Sequence, residues 1–139
     1  MIIEFINGKN LEEVLDEHEG FLPEKDIVEW ALQICDALIY LHSQKPTPII
    51  FRDMKLGNVM VDQNGQVRLV DLGIVEAYHA GREQKAVGTV GYSPPEQYVG
   101  YTDARSDIYA LGVTLHHLLT RRDPRQEQKR KDDHFTFHD

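Results

Sequence analysis

The chain has 139 residues, one domain in size, and its 41% apolar content is slightly lean but compatible with a core. The net charge of −8 argues against a nucleic-acid-binding surface. A single cysteine, Cys35, excludes an internal disulfide and gives no sign of an oxidising compartment. No basic stretch precedes an apolar core at the N-terminus, so no secretory leader is expected. No apolar run approaches the ~20 residues of a membrane helix, and the chain reads as soluble.

In chain order, residues 1–6 read as a strand and Asn7-Gly8 as a turn. Asn10 is placed to cap a short helix from Leu11 to about His18, with Glu12 and Glu13 in its first turn and Gly20 as its stop. Pro23-Glu24 opens a long helix to about Ser43. Ile27, Trp30, Ala31, Ile34, Leu38 and Leu41 recur in it every three or four residues and form one apolar stripe. Cys35 falls inside this pattern and reads as a small buried hydrophobe. Pro46 and Pro48 prevent continuation.

Short strands follow at Ile49-Ile50, Val59–Val61 and Val67–Val70, the last two joined by the turn Asp62-Gln63-Asn64-Gly65. A final helix, capped by Asp103 or Ser106, is predicted to reach about Thr120. From Arg121 to Asp133 basic and acidic residues interleave, which predicts a solvated or disordered tail. The seven histidines show no metal-ligand spacing, and the adjacent His116 and His117 point to different helix faces.

The chemistry concentrates in Ile49-Ile50-Phe51-Arg52-Asp53-Met54-Lys55-Leu56-Gly57-Asn58 and, after the last strand, Asp71-Leu72-Gly73. An Asp, a Lys two residues on and an Asn five residues on share one loop, and a second Asp follows a strand. That set matches the general template for phosphoryl transfer. In it one carboxylate takes a hydroxyl proton, a lysine stabilises the transferred group, and an amide oxygen with a second carboxylate holds Mg²⁺.

Further blocks follow in order: Gly88-Thr89-Val90-Gly91-Tyr92-Ser93-Pro94-Pro95-Glu96, then Ser106-Asp107-Ile108-Tyr109-Ala110-Leu111-Gly112. Together these resemble the catalytic loop, metal-binding turn, activation-segment end and central helix of protein kinases. The wording is similar to bacterial, eukaryotic-like Ser/Thr kinases. The resemblance implies an α+β, mainly α-helical fold, a kinase C-lobe with short β-hairpins around the catalytic loop. It spans residues 1–124 as a partial kinase domain and leaves 125–139 as a charged tail.

The resemblance also implies site roles. Asp53 would be the catalytic base, Lys55 the phosphate stabiliser and Thr89 the brace of the substrate loop. Asn58 and Asp71 would hold Mg²⁺. The hinge backbone at Glu4 and Ile6 would meet the adenine, with Ile3 as gatekeeper, Met60 as apolar floor and Asn10 near the ribose. Arg52 would face an anionic group of the activation segment. The segment from Ile74 to Gly88 carries no Ser or Thr and only Tyr78 as a hydroxyl, so Glu83 is the expected stand-in. In the family Glu96 pairs with an arginine of the late C-lobe; no such segment is recognisable in this sequence, so Glu96 is expected to lack that partner and to leave the activation segment poorly anchored, while Asp107 would receive backbone N–H groups of the catalytic loop from below.

Phe51, Leu56 and Leu72 depart from the commonest kinase residues, and Gly57 loosens the loop that carries Asp53. No G-x-G-x-x-G occurs in the sequence, and Met1–Gly8 resembles the last N-lobe strand entering the hinge. The chain therefore reads as a C-lobe fragment. The implied cofactors are ATP and Mg²⁺, and the implied partners are a protein Ser/Thr substrate and a missing N-lobe or parent protein. The implied location is the cytoplasm, or the cytoplasmic part of a larger, membrane-anchored protein. The competing expectation is a non-catalytic, kinase-like interaction module or truncated relic.

Overall fold

In the computed structural model, residues 8–70, 76–77, 91–92 and 103–127 are described. Three helices and two small antiparallel sheets form an α+β, mainly helical arrangement among them. Strand β1 (Gly8–Asn10) leads straight into helix α1 (Leu11–Glu17). Asn10 caps α1: its side chain accepts from the Glu13 N–H at 2.8 Å, and the Glu13 carboxylate accepts from the Asn10 N–H at 3.3 Å. Two of the helix's orphan N-terminal donors are satisfied this way. The helix ends at Glu17, earlier than Gly20 would stop it, and Gly20 takes a left-handed φ of 73° in the loop beyond.

Gly8 forms part of β1, where a turn was expected from Asn7-Gly8. The reason is steric. β1 pairs with β3 (Val59–Asp62) in the register Gly8↔Asp62, Lys9↔Val61 and Asn10↔Met60. A Cβ at position 8 would lie 2.3 Å from the Val61 carbonyl oxygen, so the glycine serves close strand approach.

Helix α2 (Glu24–His42) follows the apolar stripe. Ile27, Ile34 and Leu38 are buried; Trp30, Cys35 and Leu41 are partly buried against the same core. β3 and β4 (Val67–Leu69) form the expected hairpin. Its turn is organised by Asp62, whose carboxylate accepts from the N–H groups of Asn64 and Gln66, while Gly65 supplies a φ of 76°. Gln33 of α2 braces this turn from outside, donating to the Gly65 carbonyl at 2.9 Å and accepting from the Val67 N–H at 2.8 Å. A second sheet pairs β2 (Ile49–Ile50) with β5 (Glu76–Ala77).

Helix α3 (Ala104–Thr120) starts at an Asp103 cap boxed by Ser106. One core joins α1, α2, the loop 51–56 and α3 through Leu11, Leu15, Ile34, Leu38, Phe51, Met54, Leu56, Leu111 and Leu118. α3 ends on Arg121 in the left-handed region, φ 61°. That conformation costs a non-glycine residue ~1–2 kcal/mol. The Arg121 guanidinium offsets part of it by donating to the carbonyls of Gly20 and His18 at 2.8 and 3.2 Å. A helical turn follows at 124–127. The first seven residues of the interleaved-charge stretch are thus fastened to the domain, and residues 128–139 lie outside the described part.

Candidate active site

Strand β2 delivers the chain into a loop whose residues 51–54 are all buried. Arg52 adopts φ 74°, a left-handed conformation that turns the loop sharply. What holds this turn is Asp107, in the first turn of α3 and only 1% exposed. Its Oδ2 accepts from the Phe51 N–H and its Oδ1 from the Arg52 N–H, both at 2.8 Å. The His42 Nε2, at the end of α2, lies 2.7 Å from the same Oδ2. The end of α2 and the start of the loop therefore meet on one buried carboxylate that lies 55 to 65 positions further along the chain. His42 was not singled out by sequence reasoning. Its partner is 65 positions away, and no local pattern marks it.

Above this clamp sit Asp53, 8% exposed, and Asn58, 6% exposed. The Asn58 Nδ2 donates to the Asp53 backbone carbonyl at 2.8 Å and to its Oδ2 at 3.1 Å. Asn58 is itself fixed by the 3-10 turn Leu56–Asn58, through Asn58 N–H to Lys55 carbonyl at 3.1 Å, and by the Val70 N–H on its own carbonyl at 2.9 Å. With both amide hydrogens on Asp53, the Asn58 side-chain oxygen is directed the other way. A hard, neutral oxygen donor is thereby oriented by its neighbour. The Lys55 Nζ lies 3.7 Å from the Asp53 Oδ2. The structure thus brings together Asp53, Lys55 and Asn58, with Arg52 and Asp107 beneath them.

The other candidates divide. Asn10 and Met60 face each other across β1 and β3, so the ribose and adenine-floor candidates are neighbours in one sheet. The Asn10 side-chain oxygen is engaged in capping α1. Glu4, Ile6, Asp71, Thr89 and Glu96 lie outside the described residues, as do Ile3, Tyr78 and Glu83. Among the described residues no cluster of three or more His, Cys, Asp or Glu could hold a metal by itself. No helix there is long and apolar enough to cross a membrane.

A second polar cluster lies around Tyr92, within the Gly88–Glu96 block. Tyr92 is 1% exposed and its hydroxyl hydrogen-bonds the Nδ1 of His117, itself buried on α3. Burial pushes the Tyr92 phenol up and the His117 imidazole down from their ordinary values, so both are neutral near pH 7. The Arg125 guanidinium carbon stands 6.0 Å from the Tyr92 ring centroid. Arg125 also donates to Glu12 of α1 at 2.8 Å and to both oxygens of Asp123. Its hydrogen bonds hold the Asp123 carboxyl below the usual carboxylate range.

The family model that matches this chain is that of the protein kinase domain, over residues 1–139. Three relatives illustrate the range. A probable serine/threonine-protein kinase of Streptomyces coelicolor is 38% identical over 130 residues, covering 89% of this chain and 19% of its own length. The probable serine/threonine-protein kinase PknB of Bifidobacterium longum is 35% identical over 130 residues, 89% of this chain and 18% of its own. Beta-adrenergic receptor kinase 1 of Homo sapiens is 33% identical over 136 residues, 96% of this chain and 19% of its own. The chain thus spans under a fifth of the length of these curated relatives.

Proposed function

The chain belongs to the protein kinase family, and from that premise we propose that it carries the phosphotransfer half of a serine/threonine kinase, moving the γ-phosphate of ATP to protein hydroxyls. The observation that carries this reading is the constellation of buried Asp53 and Asn58 with half-buried Lys55, on a loop held from below by Asp107. Relatives named as serine/threonine kinases support the substrate class.

Asp53 accepts the proton of the acceptor hydroxyl as its oxygen bonds to the γ-phosphorus and the bond to the β-phosphate oxygen breaks. A positioned base of this kind contributes ~10²–10⁴-fold. The Asn58 amide holds the Asp53 carboxylate in one orientation, so little reorganisation is needed when the hydroxyl arrives. Lys55, within 3.7 Å of that carboxylate, supplies positive charge where the transferred group passes. The Asn58 amide oxygen and Asp71 would hold Mg²⁺, which neutralises phosphate charge when bound with ATP. Thr89 braces the acceptor loop, Glu4, Ile6, Asn10 and Met60 receive the nucleoside, and Arg52 faces an anionic group of the activation segment, of which Glu96 is part.

A non-catalytic, kinase-like interaction module is the competing reading. One experiment separates the two. The chain, alone and mixed with a polypeptide carrying a kinase glycine-rich loop and strand lysine, is incubated with labelled ATP, Mg²⁺ and a generic Ser/Thr protein. Transfer on mixing that disappears in Asp53→Asn supports the kinase reading. Binding of ATP without transfer in any mixture overturns it in favour of the module.

A further inference from the structure

Residues 121–127 form a bridge between parts of the molecule that the sequence keeps far apart. Arg121 reaches back to the loop after α1, on the carbonyls of Gly20 and His18. Arg125 reaches α1 itself through Glu12, 113 positions earlier. Glu12 in turn covers the 3-10 turn that carries Asn58: a Cβ built on Gly57 would lie 3.5 Å from its Oε2.

On its other side the bridge presses on residues 91 and 92. A Cβ at Gly91 would meet the Pro124 carbonyl oxygen at 2.7 Å, and Gly91 has φ 89°, so only glycine lets the two backbones approach so closely. Tyr92 is then enclosed by His117 and by the Arg125 guanidinium.

We propose that Arg125 is a positioning residue that fastens the Gly91–Tyr92 end of the acceptor-binding loop to α1, and through Glu12 to the turn carrying Asn58. Its side chain suits that task. One planar fork donates to Glu12 and to both oxygens of Asp123 while its carbon end stands over an aromatic ring, a combination an ammonium group cannot reproduce. Arg125 touches neither Asp53 nor Asn58, so its influence passes through Glu12 and Tyr92. The role as an acceptor-loop strut rests on the kinase reading of residues 88–96; the strut itself does not.

The test is amide hydrogen exchange on the full chain, without nucleotide, read at the peptide containing Gly91 and Tyr92. Arg125→Ala is expected to speed exchange there about fivefold, as the loss of a partly exposed ion-pair network implies. Arg125→Lys is expected to restore part of the protection. Glu12→Gln alone should resemble Arg125→Ala, and the double variant should add little to either. If Arg125→Ala does not fold, Glu12→Gln and Arg125→Lys carry the same comparison. Unchanged exchange at Gly91–Tyr92 in variants that still melt cooperatively would overturn the strut, as would strict additivity of the Glu12 and Arg125 effects. Because no phosphotransfer is measured, failure of the kinase reading would not imitate either result.

Discussion

Two charged junctions, one centred on the Asp107 carboxylate and the other on the Arg125 guanidinium, tie distant parts of this molecule together, and the variable that separates them most is exposure to water. Asp107 gathers two backbone N–H groups and His42 in a site 1% exposed. The Arg125 junction gathers Glu12, Asp123 and Tyr92 around a guanidinium side chain 39% exposed. Both use short, charge-assisted hydrogen bonds. Water decides what each contributes. At Asp107 no solvent can replace a lost partner, so each backbone donor stranded by its removal costs its full desolvation. At Arg125 water and salt compete for every contact, and the net contribution is small. The dry junction fixes geometry; the wet one adjusts it.

The largest expected effect isolates chemistry from both junctions. On the proposed kinase reading, Asp53→Asn in the mixture described above should lower phosphotransfer by ~10²–10⁴-fold. The same substitution should leave the urea midpoint of the chain nearly unchanged, since an amide still offers an oxygen to Asn58. A collapse of stability instead would mean that Asp53 serves the fold.

Next comes the dry junction. Asp107→Ala should destabilise the chain by about 3–5 kcal/mol in equilibrium urea unfolding, the cost of stranding buried partners. Asp107→Asn should fall between, keeping one acceptor oxygen. A loss under 1 kcal/mol for the alanine variant would mean that the loop 51–54 is held by its apolar residues alone.

Acid sharpens the comparison. Burial keeps the His117 imidazole below its ordinary value of 6.5, so the unfolded chain takes up this proton before the folded one does. Stability from this group is therefore fully present above pH 6.5, declines as pH falls below it, and levels off below the folded value. Asp123, depressed by its bonds to Arg125, adds a further loss at pH below its ordinary 3.8. Urea midpoints measured between pH 7.5 and 4.5 should show the first decline, and His117→Gln should flatten it. A midpoint that rises with acid would contradict a neutral buried imidazole.

The smallest effect belongs to the wet junction. Arg125→Ala should cost about 0.5–1 kcal/mol of global stability, and less in 1 M salt. A loss as large as that of Asp107→Ala would erase the distinction drawn between the two junctions.

These junctions also mark the limit of what the residues declare on their own. α2 was legible because an apolar stripe at helical spacing leaves its burial little choice. The Asn10 and Asp103 caps and the Asp62–Gly65 turn were legible because each is satisfied within a few positions. Asp53, Lys55 and Asn58 were legible as a spaced set, and their mutual bonds span only five positions. The partners of His42, Gln33 and Arg125 were not. Those bonds close loops of 65, 32 and 113 positions, and a histidine, a glutamine or an arginine on a helix face looks solvated until the chain folds back on it. The stretch after Thr120 misled for a similar reason. Alternating charges read as solvation, while two of its arginines find carbonyls and a carboxylate near α1.

The left-handed turn at Arg52 has one last consequence. A residue with a side chain gains no comfort from φ 74° by itself, and the Asp107 oxygen on its N–H helps to keep it there. The two therefore behave as a cocked spring and its catch. Loosening the catch at α3 would let the backbone of residue 52 relax toward an ordinary extended shape, and Asp53, the very next residue, would swing with it. Heredity would then find α3 as fragile a target as the loop itself, since a change at Asp107, 54 positions away in the chain, could displace Asp53 without touching it.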